Sequence, residues 1–252
     1  MFLPGGKEQI AGEYQPGWML LSYGKKVSVS SSLEGYPAEN IVDEDARTAW
    51  VAQSNRDMEW AQVDLQRLSS IHAIQVNFDE YGANQKGAVS GVYQSYLIYA
   101  SVNGEDWSLV VDYGTKKTDT PHDYIEFEEP FKARYIKLQN KEYMVSENFS
   151  VRDLRIFGKG QGSTPRAVND FTVERDEADP CKARLCWEAV PDAQGYIVRY
   201  GIAGDKLYNN FQVMGENTLE IGSLNKGVAY YFTIDAYNEN GITRTSRIKV
   251  CR

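Results

Sequence analysis

The sequence predicts an all-β protein made of two β-sandwiches, and three observations support this. Short runs of alternating apolar and polar residues recur along the chain, separated by turn residues. Aromatic residues make up 12% of the chain and include 17 tyrosines, which favour strands. A helical period is almost absent. The 252 residues suffice for two domains that each bury a core.

A stretch rich in Gly, Ser, Thr and Pro, GKGQGSTPRA at residues 158–167, divides the chain. We interpret residues 159–166 as a linker between a first domain at residues 20–158 and a second at residues 167–252. Residues 1–19 are punctuated by Gly and Pro and fit neither pattern. They are predicted to be an extension or the tail of an upstream domain.

The first domain contains eight runs with a period of two. In order they read KVSVSSS, WAQVDL, IHAIQVNF, SYLIYASV, WSLVVDY, YIEFEE, RYIKLQN and VRDLRIFG. The Asn103-Gly104 pair between the fourth and fifth runs is a strong hairpin signal. Eight such strands predict a sandwich of the jelly-roll type.

The second domain continues the same period. Its runs are FTVER, ARLCWEAV, GYIVRYG, NTLEIGSL, YYFTIDAYN and RIKVCR. Their number and the length of the domain fit a seven-stranded sandwich. The three cysteines, Cys181, Cys186 and Cys251, all lie here, and their odd number and spacing argue against a zinc site and leave one disulfide or none.

Composition disfavours two classes of partner. The net charge is −8, whereas binding to a nucleic-acid backbone or an anionic membrane surface is driven by lysine and arginine. No run approaches the roughly 18 to 20 apolar residues of a membrane span, and the N-terminus lacks the pattern of a signal peptide. We therefore expect no nucleic-acid partner and disfavour membrane lipid.

The sequence predicts no catalytic residues. It has no G-x-S-x-G elbow, no Gly-rich phosphate loop and no histidine placed to partner a cysteine. Of its two histidines, His72 shares the strand parity of apolar neighbours and His122 follows Pro121 in a predicted turn. Carboxylates in one tight turn also offer no cleft for glycoside hydrolysis.

Residues 39–50, ENIVDEDARTAW, crowd four carboxylates into seven positions. Such a cluster needs solvation or a positive partner. One interpretation is a cation site. The alternative is an Asx-type turn in which Asp43 and Asp45 cap backbone amides and Arg47 neutralises them. Trp50 is predicted to be core.

The first domain resembles the discoidin family, the coagulation factor V/VIII type C fold. The matching segments cover residues 21–158: KKVSVSSSLEGYPAENIVDEDARTAW, WAQVDL, SYLIYASVNGEDWSLV, ARYIKLQN and SVRDLRIFG. The resemblance implies an eight-stranded jelly roll with binding loops at one end, a fold also found as a carbohydrate-binding module.

The same resemblance implies a structural calcium ion. Its ligands would be the carbonyl of Val42 or Asp43, the side chains of Asp43 and Asp45, both oxygens of Thr48, and Asp153. Calcium takes six to eight hard oxygens of this mixed kind. Two positions depart from the family pattern: Glu44 replaces a frequent Gly, which costs strain if the turn requires positive φ, and Asp153 replaces the usual Glu.

The second domain resembles fibronectin type III. The residues that carry this resemblance are Trp187, Tyr196, Leu224, Tyr230 and the alternation that follows Tyr230. It implies that Trp187 and Leu224 are core and that Tyr230 is a corner tyrosine whose hydroxyl satisfies backbone groups.

Three loops of the first domain carry the polar and aromatic side chains that bind sugars. The predicted ligand-binding residues are Tyr81, Asn84, Gln85 and Tyr93 in residues 78–96, Tyr143 and Asn148 in residues 140–150, and Asn55 and Arg56 in VAQSNRDMEW. Galactose-binding members of the family often supply a histidine and an arginine from the first of these loops, and neither is present.

These observations predict a noncatalytic carbohydrate-binding module followed by a fibronectin type III spacer. The pair resembles the C-terminal part of a bacterial polysaccharide-degrading glycoside hydrolase, which implies an upstream catalytic domain, a polysaccharide or oligosaccharide partner and an extracytoplasmic location. One alternative is a purely structural pair that braces the catalytic domain. A second is adhesion to a cell surface or a protein.

Overall fold

The computed structural model describes residues 17–83 and 91–252. Leu20–Gln161 belong to one compact unit and Gly162–Arg252 to another. The structure has a short 3-10 turn, Ala38–Val42, and both units are otherwise built from strands. The all-β prediction is confirmed.

The first unit contains eight strands in the described residues. They are β1 (Met19–Leu20), β2 (Lys26–Val29), β3 (Trp50–Val51), β4 (Trp60–Phe78), β5 (Gln94–Ser101), β6 (Ser108–Tyr113), β7 (His122–Tyr143) and β8 (Ser150–Lys159). They are hydrogen-bonded in the order β1-β8-β4-β7-β5-β6, with β2 paired to β4 and β3 paired to β8.

Two long strands replace four of the predicted runs. WAQVDL and IHAIQVNF both lie in β4, and YIEFEE and RYIKLQN both lie in β7. The β4–β7 pairing changes register between Asp64 and Ser69, where Gln66 has φ of 66°. Such a bulge bends a strand without ending it, so polar turn residues stay inside one strand.

The core of the first unit follows strand alternation. Buried and partly exposed residues alternate over the first part of β4, where Ala61 and Val63 are each 0% exposed. In β7, Ile136 and Leu138 are likewise 0% exposed. Trp50 is also 0% exposed, and its indole N–H donates to the Ser31 carbonyl at 3.0 Å. This agrees with its predicted core position.

The second unit contains eight strands where seven were predicted. They are β9 (Phe171–Arg175), β10 (Ala183–Trp187), β11 (Gly195–Gly201), β12 (Asn209–Met214), β13 (Thr218–Ile221), β14 (Tyr230–Asn238), β15 (Gly241–Thr243) and β16 (Lys249–Cys251). One sheet has the order β13-β10-β9 and the other the order β12-β11-β14-β15, with β16 also on β14.

Two of these strands, β12 and β15, do not correspond to any of the apolar-alternating runs found in the sequence. β12 is mostly exposed and carries little apolar alternation, because it lies at a sheet edge. β15 and β16 pair with opposite ends of β14, and the amide of Thr245 between them donates to the Asp235 carboxylate at 3.2 Å. Trp187, Leu224 and Tyr230 lie in the core of this unit, as expected, and all three cysteines are unpaired.

Candidate functional site

Hydrogen bonds between loops gather several connections at one end of the first unit. The amide of Phe149 donates to the Ser54 carbonyl at 2.9 Å, and that of Met144 donates to the Tyr93 carbonyl at 3.1 Å. We call this region the loop end. Its described residues are 52–59, 79–83, 91–93, 114–121 and 144–149.

Tyr143 lies beneath the loop end and not on its surface. It is 2% exposed, its ring packs edge-on against Phe149 at a centroid distance of 5.3 Å, and its hydroxyl donates to the Asp79 carbonyl. Burial raises the pKa of Tyr143 above its usual value. The expectation of an exposed stacking ring at Tyr143 is therefore corrected, because its hydroxyl finds a buried partner and lets the ring enter the core.

Asn55 and Asn148 hold the loops together. The Asn55 side-chain amide donates to the Ser146 carbonyl at 2.7 Å, and that of Asn148 donates to the Ala52 carbonyl at 2.9 Å. Both donors satisfy backbone groups in a partly buried setting, where an unpaired acceptor would be costly. The structure thus places these two predicted ligand-binding residues in the framework of the loop end.

Tyr81 and Arg56 reach the surface of the loop end. Tyr81 is half-buried and meets Tyr36 edge-to-face, with ring centroids 4.9 Å apart and planes at 70°. Arg56 is exposed. Tyr36 was not predicted, because no sequence spacing indicates that the segment after β2 meets the loop after β4. The predicted ligand-binding residues Asn84 and Gln85 lie outside the described residues and remain predictions.

Tyr93 belongs to a charged cluster with Lys117 and Glu142. Its hydroxyl donates to Glu142 at 2.5 Å and accepts a bond from the Lys117 ammonium at 2.6 Å. The ammonium also lies 4.2 Å from the centroid of the Tyr93 ring and pairs with Glu142. One face of Tyr93 is therefore occupied by a cation.

The acidic loop forms a closed set of internal hydrogen bonds. Asp43 accepts the Asp45 amide at 2.8 Å and the Thr48 hydroxyl at 2.8 Å, while Asp45 accepts both the backbone and the guanidinium of Arg47 at 3.0 Å. The bond from Arg47 lowers the pKa of Asp45. The Val42 carbonyl accepts the Gly24 amide at 2.9 Å. This geometry is the Asx-turn alternative.

Asp153 lies close to this loop but is less well compensated. It is 8% exposed and accepts the Asn77 side-chain amide at 2.8 Å. Burial raises the pKa of Asp153, and the negative charges of Glu44 and Asp43 raise it further. The positive charge of Arg155 offsets this rise only in part, so a bound cation would further stabilise the ionised carboxylate.

These residues fit a calcium ion in part. Asp43, Thr48 and Asp153 are hard oxygen donors near one another, and burial together with the charges of Glu44 and Asp43 raises the pKa of Asp153 despite the nearby Arg155. Asp45 does not join them, because both of its carboxylate oxygens accept bonds from Arg47. In residues 17–83 and 91–252 no group of three or more His, Cys, Asp or Glu side chains is arranged to hold a metal.

With this geometry in view, the first unit matches a known family. The F5/8 type C domain model matches residues 26–153, about half of the chain. The chain belongs to the F5/8 type C domain family. The resemblance drawn from the sequence is confirmed for this domain. The assignment of ligand binding to its loops stays a prediction.

Two curated proteins are similar in sequence to part of this chain. Lactadherin of Rattus norvegicus is 33% identical over 110 residues, which is 41% of this chain and 25% of that protein. Lactadherin of Mus musculus is 32% identical over 110 residues, with 41% and 23% covered. The chain therefore spans about a quarter of the length of these relatives.

Several solved structures are also similar. Chitosan-binding module 1 of a chitosanase/glucanase from Paenibacillus sp. IK-5 has 20% identity and a TM-score of 0.47, covering 56% of this chain and 99% of that chain. A family 32 carbohydrate-binding module from C. perfringens NanJ, in complex with galactose, has 17% identity and a TM-score of 0.45, covering 56% and 98%. Among the described residues of the F5/8 type C chain, no helix is long and apolar enough to span a membrane.

Proposed function

We propose that the F5/8 type C domain is a noncatalytic carbohydrate-binding module whose glycan binds at the loop end. The observation that carries the proposal is the Tyr36–Tyr81 pair, two partly exposed rings in edge-to-face contact at 4.9 Å on this end of the domain. Sugars stack their C–H faces on such rings and hydrogen-bond to planar polar groups. Arg56, exposed on the neighbouring loop, is a candidate for the polar contact.

Internal bonds support this assignment by fixing the loops before a ligand arrives. Asn55 and Asn148 tie the loops to one another, and Tyr143 ties β7 to the Asp79 carbonyl at the start of the Tyr81 loop. A site held in its bound shape loses less entropy on binding. Asn84 and Gln85, from the same loop as Tyr81, are proposed as further ligand contacts on the sequence argument alone.

We propose that the second unit is a fibronectin type III spacer and that the pair belongs to an extracytoplasmic glycoside hydrolase with an upstream catalytic domain. The Tyr230 hydroxyl accepts the Asn225 amide at 3.2 Å, which is the contact expected of a corner tyrosine. The division of its strands into one sheet of order β13-β10-β9 and a second that contains β12-β11-β14 also supports this assignment. Linking a weak binder to a catalyst raises the local concentration of substrate.

A structural calcium ion remains part of the proposal. It would bind Asp43, Thr48 and Asp153 and would require Asp45 to leave Arg47 if the full predicted set is to form. Its role would be to hold the acidic loop against β8, because a cation would stabilise the ionised form of Asp153 against burial and its acidic neighbours. It would not take part in chemistry.

One observation favours the structural alternative. Four of the six predicted ligand-binding residues that the structure describes form bonds inside the protein: Asn55, Asn148 and Tyr143 donate to backbone carbonyls, and Tyr93 is paired with Lys117 and Glu142. A domain that only braces an upstream domain needs no free donors at its loop end. This alternative predicts that no glycan binds to the isolated chain.

A glycan array separates the two functions. The wild-type chain, Tyr81→Ala and Arg56→Ala would be compared, with Tyr208→Ala as the matched control, because Tyr208 is 79% exposed in the second unit. The binding function predicts at least a tenfold loss of affinity in Tyr81→Ala and no change in Tyr208→Ala. No glycan bound by wild type, or equal loss in both tyrosine variants, would reject glycan binding at the loop end.

A further inference from the structure

A second surface of the first unit combines aromatic rings with an unpaired lysine. It lies on the outward face of the sheet formed by β4, β7, β5 and β6. We call it the aromatic–lysine face. Its residues are Trp60, Gln62, Tyr99, Trp107, Lys137 and Gln139, all partly exposed except Gln139, which is 8% exposed.

Strand register places these residues side by side. Lys137 is the direct neighbour of Tyr99 on β5 and of Gln62 on β4. Gln139, two residues further along β7, is opposite Trp60. Opposed side chains on adjacent strands lie about 5 Å apart, and residues two positions apart share one face. The face is therefore a continuous strip across three strands.

Lys137 is the centre of the strip. Its ammonium lies 4.1 Å from the centroid of the Trp107 ring and 5.3 Å from that of Tyr99. Burial is what lowers the pKa of Lys137, and no carboxylate opposes this effect. Within the described residues Lys137 forms no ion pair.

Neighbouring acids do not compensate for this lysine. Asp64, in the adjacent row of the same face, is bound at both oxygens by the Arg134 guanidinium, at 2.7 and 2.8 Å. Lys141, two positions before the end of β7, pairs with Asp57 at 2.6 Å. Lys137 is thus a partly buried positive charge, in a chain whose net charge is −8, and within the described residues no carboxylate pairs with it.

We propose that the aromatic–lysine face is a second binding site, separate from the loop end, and that it takes an acidic glycan. The apolar faces of the sugar rings stack on Trp107, Tyr99 and Trp60, and a carboxylate of the glycan pairs with the Lys137 ammonium. The Gln62 side chain is placed to hydrogen-bond to hydroxyls. This occupant is favoured over a peptide because partly exposed rings and the Gln62 amide match sugar, and because Lys137 carries a positive charge that no carboxylate of the described residues pairs with.

The test uses one tetrasaccharide in two forms: an unsulfated glucuronate-containing tetrasaccharide and the same compound with its carboxylates reduced to alcohols. Calorimetry on the full chain is expected to show that the acidic form binds at least tenfold more tightly than the neutral form. The preference should shrink as salt is raised, since the contact is ionic. Equal affinity for the two forms, or no binding of either, would overturn the proposal.

Variants assign the binding to the face. Lys137→Met keeps the apolar stem between the rings and should lose the preference for the acid, whereas Trp107→Ala should weaken both forms. Lys137→Gln serves if the methionine variant does not fold. Tyr81→Ala, at the loop end, should leave the preference for the acidic tetrasaccharide unchanged. The proposal for the aromatic–lysine face can therefore fail independently of the proposal for the loop end. An acidic preference that survives in both Lys137 variants contradicts the assignment.

Discussion

Glu44 is held in the left-handed region of backbone space by an ion pair with Arg155. Its φ is 62°, and the Arg155 Nε donates to the Glu44 carboxylate at 2.8 Å while the second guanidinium nitrogen binds the other oxygen. Both side chains are more than four-fifths buried. The sequence predicts backbone strain at Glu44 if the turn requires a positive φ, and this strain is therefore present. A bidentate contact to Arg155 on β8 offsets it.

At Glu44 the ion pair with Arg155 stabilises the fold and the left-handed backbone conformation destabilises it. Glu44→Gln retains the strain but loses the charge, and we expect it to lower the free energy of unfolding by about 2 kcal/mol. Glu44→Gly also loses the contact to Arg155 but removes a strain of roughly 1 to 2 kcal/mol, so it should be less destabilising than Glu44→Gln. Urea unfolding, which leaves ion pairs unscreened, measures both. A glycine variant more stable than wild type would show that the contact to Arg155 contributes less than the backbone strain costs.

Asp153→Asn tests the calcium proposal by the sign of its effect. Because the folded-state pKa of Asp153 is raised, stability is lost as pH rises from the unfolded pKa through the folded one and stays lower above it. In chelator at neutral pH, Asp153→Asn should therefore be at least as stable as wild type, since asparagine can still accept the Asn77 amide.

With calcium added, the order of stability should reverse. Wild type should gain several degrees in its melting temperature, because the ion binds the ionised carboxylate, and Asp153→Asn should gain much less. Thermal unfolding at pH 7 with and without calcium provides the measurement, and magnesium serves as the control. A wild-type melting temperature that calcium does not change would reject the ion.

Tyr143→Phe should affect stability and not binding. The variant loses the bond from the Tyr143 hydroxyl to the Asp79 carbonyl, which still accepts the Ser150 hydroxyl at 2.9 Å. We expect a loss of about 1 kcal/mol in urea unfolding. Tyr124→Phe, at a tyrosine that is 40% exposed, is the matched control and should be nearly neutral. A glycan affinity lowered tenfold at unchanged stability would return Tyr143 to the ligand site.

Gly158 should not tolerate a side chain. A Cβ at this position would lie 2.0 Å from the Ser70 carbonyl oxygen and 3.0 Å from Leu21, because β8 passes close to β4 here. Gly158→Ala is expected to cost about 3 kcal/mol or to prevent folding of the first unit. Gly222→Ala, where nothing lies within 4 Å, is the control and should be nearly neutral. Unfolding curves and circular dichroism distinguish these outcomes.

The alternation of apolar and polar residues was enough to predict an all-β chain, because a strand with one buried face imposes a period of two on its own sequence. The F5/8 type C domain could also be predicted from the sequence, because the five segments that match the family pattern occur in the same order along this chain. The merging of predicted runs into β4 and β7 could not, because a bulge such as that at Gln66 continues a strand through residues that look like a turn.

The candidate site shows the same division at the level of single residues. The sequence determined which loops carry rings and amides, and it identified Trp50 as core and Glu44 as the position at risk of strain. Only the tertiary structure decided that Tyr143 turns inward, that Tyr36 meets Tyr81, and that Lys137 has rings and no carboxylate around it. The physical reason is that exposure and charge compensation depend on neighbours distant in the chain, which no local pattern encodes.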